Sequence, residues 1–151
     1  MYILIIIIII MGNNHSAYIK KINFEDMQHA IKDNEKSVII NTLIQDKQQC
    51  LIKGTITIEE EIKILNHYLS KDTKIRIVIY GINACDPTML QKYNQLMNLG
   101  FYNIYIYPGG MFEWLLLQDI YGEDIFPTTT KEKDLLQFKG RQQFNIKMID
   151  Y

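Results

Sequence analysis

The residues of this 151-residue chain that could do chemistry are few: two cysteines, three histidines and the loop Gly81-Ile82-Asn83-Ala84-Cys85-Asp86. Cys85 stands directly ahead of Asp86-Pro87, an N-cap followed by a proline at the first helical position, so a helix should start there with its positive end toward the thiol. That placement favours a thiolate and makes Cys85 the candidate catalytic nucleophile. Asp86 works against it, because it carries like charge and itself takes the capping site. An incidental loop thiol is the competing reading. Asn83 and Asp86 could hydrogen-bond a ligand in the loop's mouth, or serve an Asx-type turn and a helix cap. Cys50 reads as a small half-buried residue. His15, His29 and His67 share no ligand spacing with one another or with either cysteine, so no metal is expected. With no Walker loop, G-x-G-x-x-G or G-x-S-x-G motif, no cofactor is expected either.

A modification site lies near the start. Met11-Gly12-Asn13-Asn14-His15-Ser16 fits the pattern for myristoylation of Gly12, provided that translation begins at Met11. The preceding MYILIIIIII falls short of the roughly 20 apolar residues of a membrane span, and it lacks the charged start and cleavage site of a secretory signal. It reads either as translated upstream sequence or as a sticky N-terminal strand. One myristoyl chain beside Lys20 and Lys21 implies weak membrane association. Setting the run aside lowers the apolar share from 48% to about 44%, ordinary for a globular protein. Sixteen Lys and Arg against 17 Asp and Glu argue against nucleic acid as a partner. Two cysteines are too few for a disulfide scaffold and point to a reducing, cytoplasmic setting. Abundant Ile, Lys, Asn and Tyr against only two arginines is the usage that AT-rich codons give, large DNA viruses included, and bears on the source rather than the fold.

The elements that must position the loop alternate short apolar runs with amphipathic helices. Tyr18 to Ile22 is a strand, and Asn23 caps a helix with Phe24, Met27 and Ile31 on one face. Ser37 to Thr42 is a buried strand and Leu51 to Ile56 an edge-like one. Thr57 and Glu60 form a capping box for a helix to about Ser70, with Ile58, Ile62, Leu65 and Leu69 as its buried stripe. Ile75 to Tyr80 is the most apolar strand, as a central parallel strand covered on both faces should be. The helix after Pro87 turns Leu90, Tyr93 and Leu96 inward and stops at Gly100. Asn103 to Tyr107 is a strand, Pro108-Gly109-Gly110 a turn, and Met111 to Tyr121 a helix with Trp114 in the core. Such alternation implies right-handed βαβ units in a three-layer, doubly wound, mostly parallel five-stranded α/β domain over residues 18–127. An N-terminal extension (1–17) precedes it, and a polar tail (128–151) follows that docks on the domain.

Residues 75–127 resemble the rhodanese-like domain family. The resemblance rests on IRIVIYG opening into a loop, a helix ending in Gly100-Phe101, the following strand, Gly109-Gly110 and the helix of Trp114. In that family a cysteine at the end of the strand takes sulfur as a persulfide, cradled by the loop's N–H groups. Here the residue after IVIY is Gly81, and counting back from Gly100 lands on Asn83, so neither frame puts a thiol in the catalytic place. Asn41 and Leu43 stand where the family usually has an acid and a base, and Asp86 should repel thiosulfate or phosphate. The resemblance therefore implies the fold and, for function, a binding or interaction module for a protein partner or small anion without sulfurtransferase activity. The alternative is an active sulfurtransferase, less readily a phosphatase, using Cys85 from a remodelled loop.

Overall fold

The computed structural model describes residues 18–144; Gly12, the apolar run before it and the end of the tail lie outside the described residues. Helix α1 (Phe24–Lys32) leads to β1 (Ser37–Asn41), α2 (Ile58–Lys71), β2 (Arg76–Tyr80), α3 (Thr88–Leu99), β3 (Ile104–Tyr107) and α4 (Gly110–Tyr121), with single 3-10 turns at Gln45–Lys47 and Leu135–Phe138. The three strands form one parallel sheet in the order β1-β2-β3, pairing Ser37 with Arg76 through Asn41 with Tyr80, and Ile77 with Ile104 through Tyr80 with Tyr107. The two outer strands expected from sequence shrink to single bridges: Lys21 joins β3 at Ile106, and Thr55 joins β1 at Ile39. Both lie at the sheet's margins. There the 51–56 run is broken by Gly54 at φ +87°, a conformation that ends regular pairing. No described helix is long and apolar enough to cross a membrane.

Strand alternation divides the core into two layers. Ile39, Val78, Tyr80 and Tyr107 point to one face, where Met27 and Ala30 of α1 and Met111, Trp114 and Leu115 of α4 cover them. Val38, Ile40, Ile77, Ile79, Ile104 and Ile106 point to the other, under Leu65 of α2 and Met89, Tyr93 and Leu96 of α3. Every strand is thus covered on both sides, which is why the runs read as continuously apolar. Three facing assignments differ from the sequence expectation. Ile58 is 40% exposed, Ile62 71% and Leu90 44%. The packed face of α2 turns instead through Ile64, Leu65, Tyr68 and Leu69, and Met89 replaces Leu90. Helical positions one residue apart differ by about 100°, so a slightly rotated stripe swaps its flank.

Local chemistry fixes the ends. Asn23 accepts the Asp26 N–H (3.1 Å) in a capping box on α1, and Thr57 accepts the Glu60 N–H (3.3 Å) on α2. Gly100 closes α3 at φ +109°. The Tyr80 hydroxyl takes the Ile52 N–H (3.1 Å) and meets Thr55 Oγ1 (2.9 Å), tying the 51–56 segment to the central strand.

Three buried groups resist ionisation. Burial pushes the Tyr80 and Tyr107 phenols and the Cys50 thiol upward, and the nearby Glu113 carboxylate adds to the effect on Tyr107. The Tyr107 hydroxyl has no hydrogen-bond partner among the described residues. At neutral pH folded and unfolded chains alike hold these protons, so the three groups confer no pH dependence there. Above the ordinary values of about 8.5 for a thiol and about 10 for a phenol, the unfolded chain releases protons that the folded chain still holds. Stability should therefore be flat through neutrality and fall progressively as pH rises past about 8.5, read as urea midpoints across that range.

Candidate functional site

The loop between β2 and α3 is held from two sides. Its carbonyls face α4: Gly81 O accepts the Met111 N–H and Ile82 O the Phe112 N–H, both at 2.9 Å, so the loop caps the first turn of that helix. The approach is close enough to require glycine at 110. Its φ is +63°, and a Cβ there would lie 2.6 Å from Gly81 O.

With two of its carbonyls so committed, the loop turns three of its N–H groups to internal acceptors. Ile82 N–H donates to Asp86 Oδ2 (2.9 Å), Cys85 N–H to Asn83 Oδ1 (2.9 Å) and Asp86 N–H to Asn83 O (3.1 Å). Asp86 Oδ1 accepts both the N–H (2.9 Å) and the hydroxyl (2.6 Å) of Thr88. The Thr88 hydroxyl bridges onward to Thr42 Oγ1 at 2.7 Å. Asp86 thus serves the start of α3 as its sequence suggests, although the regular helix begins at Thr88 and Pro87 occupies the cap position rather than the first turn. The same carboxylate fills the space beside Gly81: a Cβ at 81 would overlap Asp86 Oδ2 and lie 3.0 Å from Met89 Cγ.

Asn41 and Leu43 build the neighbouring turn. Asn41 Oδ1 accepts the Leu43 N–H (3.0 Å) and pairs with the Gln48 amide, and Leu43 is buried in the core. Beside them Thr42, Thr88, Gln91 and Lys92 line a crevice of about 320 Å3. A Lys92–Glu61 ion pair at 2.6 Å stands at its wall. It opens at the carboxyl ends of β1 and β2, where the following connections leave in opposite directions, the usual place for ligands in open α/β sheets.

The tail closes the other side. Residues 127–130 run antiparallel to 49–53: Lys53 N–H donates to Pro127 O (3.1 Å), Thr129 N–H to Leu51 O (2.8 Å), and Ile52 bridges Thr128. The 3-10 turn then buries Phe138, whose carbonyl accepts the Asn83 side-chain amide (3.0 Å). The Lys47 ammonium lies over the Phe138 ring at 5.1 Å and reaches Gln137 Oε1. The strap covers Cys50, whose thiol meets Thr130 O at 3.3 Å. Cys85 remains exposed, its sulfur 3.7 Å from where a side chain on Gly140 would begin.

The structure therefore brings Gly81, Ile82, Asn83, Cys85 and Asp86 together, and Ala84 completes the loop. The sequence reading did not single out Thr42, Thr88 or Phe138 as parts of the site. A threonine two residues after Asp86, and the Leu-Leu-x-Phe pattern in a polar tail, are the signals that mark the last two. Among the described residues no cluster of His, Cys, Asp or Glu could hold a metal ion.

No protein-family model and no curated protein matches the chain. Solved structures do. The rhodanese-like domain of the Alr3790 protein from Anabaena sp, determined in solution, is 18% identical over 83% of this chain and 89% of its own, with a TM-score of 0.50. A crystal structure of the Alr3790 protein is 20% identical over 73% and 82%, again at 0.50. An uncharacterized protein from Saccharomyces cerevisiae is 16% identical over 66% and 93%, at 0.51. With parallel strands sandwiched between two pairs of helices, these likenesses show that the chain has the rhodanese-like fold.

Proposed function

We propose that this chain is a catalytically silent rhodanese-like module that works by binding a partner. One observation carries the reading: the Asp86 carboxylate occupies the space beside Gly81 and takes the N–H groups of Ile82 and Thr88. A persulfide-forming site needs a thiol at the strand's end and free donors around it for the sulfur anion. Here glycine follows the strand's last residue, and a fixed carboxylate already takes the Ile82 N–H of the loop. An incoming oxyanion would meet like charge at short range, so a protein partner suits the loop better than a small anion.

A second reading, sulfur transfer through Cys85, has the exposure of that thiol in its favour. Its own N–H is turned to Asn83 Oδ1 rather than toward a shared cradle. Alkylation by iodoacetamide near pH 7 separates the two readings. The silent module predicts that Cys85 reacts at the rate of an unactivated, solvent-exposed thiol. A rate tenfold or more above that would contradict it.

A further inference from the structure

Away from the loop, a cleft of about 460 Å3 opens between the C-terminal turn of α1 and the turn that follows α4. Ile31, Ile125 and Pro127 give it an apolar floor, and Lys32 and Lys53 stand at its margins from segments distant in sequence. The walls are fixed. Gln28 Nε2 donates to Ile125 O at 2.9 Å, and the Lys53 backbone N–H donates to Pro127 O at 3.1 Å. Asp124 also lines the cleft, but neither lysine has a carboxylate within ion-pair distance among the described residues. Ile125 is half exposed, and the outer turns of α4 leave an apolar series, Leu116, Ile120 and Tyr121, in solvent. A soluble domain rarely leaves such a series uncovered unless it meets something.

We propose that this cleft receives an acidic peptide segment of a partner protein, seating an apolar side chain on Ile31, Ile125 and Pro127 with flanking carboxylates on Lys32 and Lys53. Two lysines without carboxylate partners beside an apolar lining favour that pattern, because charge at the rim sets partner choice and approach while the buried anchor supplies affinity. The concave shape favours one inserted chain over a flat lipid surface. The inference rests on the reading of the chain as a binding module, and it uses none of the residues of the 81–86 loop.

The test is titration of the full, isotope-labelled chain, followed by amide chemical shifts. The probes are acetyl-Glu-Asp-Leu-Phe-Glu-Asp-amide, its counterpart with lysine at every acidic position, and vesicles of phosphatidylcholine and phosphatidylserine. The acidic peptide should give saturable shifts centred on Ile31, Lys32, Lys53 and Ile125, and should weaken as salt is raised. The double variant Lys32→Glu, Lys53→Glu should bind it at least about tenfold more weakly; both side chains are exposed, and an unchanged spectrum elsewhere shows that the fold is kept. Absence of binding, equal binding of the basic peptide, shifts centred elsewhere, or a preference for the vesicles would each overturn the proposal. None of these outcomes bears on sulfur transfer, so the silent-module reading stands or falls separately.

Discussion

Phe138→Ala should lower the unfolding free energy by about 3–5 kcal/mol, the usual loss for a fully buried phenylalanine, and should loosen the strap before the rest of the domain. Phe138 is 1% exposed and packs in the core layer with Leu43, Tyr80 and Trp114. Its carbonyl also holds the Asn83 amide, and its ring lies under the Lys47 ammonium. The loss should therefore concentrate where the tail meets the loop. The two cysteines report on this directly. Cys85 is exposed and Cys50 is buried beneath the strap, so Cys50 should be the slow thiol of the native protein. Each 1.4 kcal/mol or so taken from the closed state raises the open fraction about tenfold. In the variant, alkylation of Cys50 should accelerate by at least that factor while Cys85 is unchanged. Equal acceleration of both thiols would mean global loosening and would separate the strap from the loop.

Gly110→Ala should cost about 2–5 kcal/mol, seen as a lower urea midpoint with an unchanged slope. Two effects combine. A non-glycine residue at φ +63° carries left-handed strain of about 1–3 kcal/mol, and its Cβ would press on Gly81 O at 2.6 Å and Asn83 N at 3.0 Å. Neither neighbour is a flexible side chain that could swing away. Relief means lifting α4 from the loop, which breaks the bonds from Met111 and Phe112 to the carbonyls of Gly81 and Ile82. Gly122→Ala is the useful contrast. It also has positive φ but open space around it, so only the conformational part of the cost should appear.

Much of the framework was legible because it depends on local signals. Asn23, Thr57 and Gly100 cap where their types predict, and the strand-helix alternation yields the parallel sheet. The strands beneath two helical layers read as unbroken apolar runs. The outer strands were less legible because edge pairing depends on one neighbour alone, and each retains a single bridge to the sheet. The exposed positions of Ile58, Ile62 and Leu90 were not legible because hydrophobic type says nothing of a small rotation about a helix axis. In the loop, Asp86 was legible as a helix-capping residue. Its second duty, filling the space beside Gly81, depends on the fold of β2 against α3 and has no signature in spacing. Phe138 stands out in the sequence only as an apolar residue of a polar tail, since the groove it fills is assembled from segments distant in sequence.

In the proposed silent module the loop's own carboxylate stands where a sulfur-carrying side chain would have to stand, and Cys85 does not replace it. Thiosulfate:cyanide sulfurtransferase turnover, measured on the wild type and on Cys85→Ser, tests this most directly. Both proteins should produce thiocyanate only at the rate of buffer. Turnover by the wild type that disappears in Cys85→Ser would contradict it.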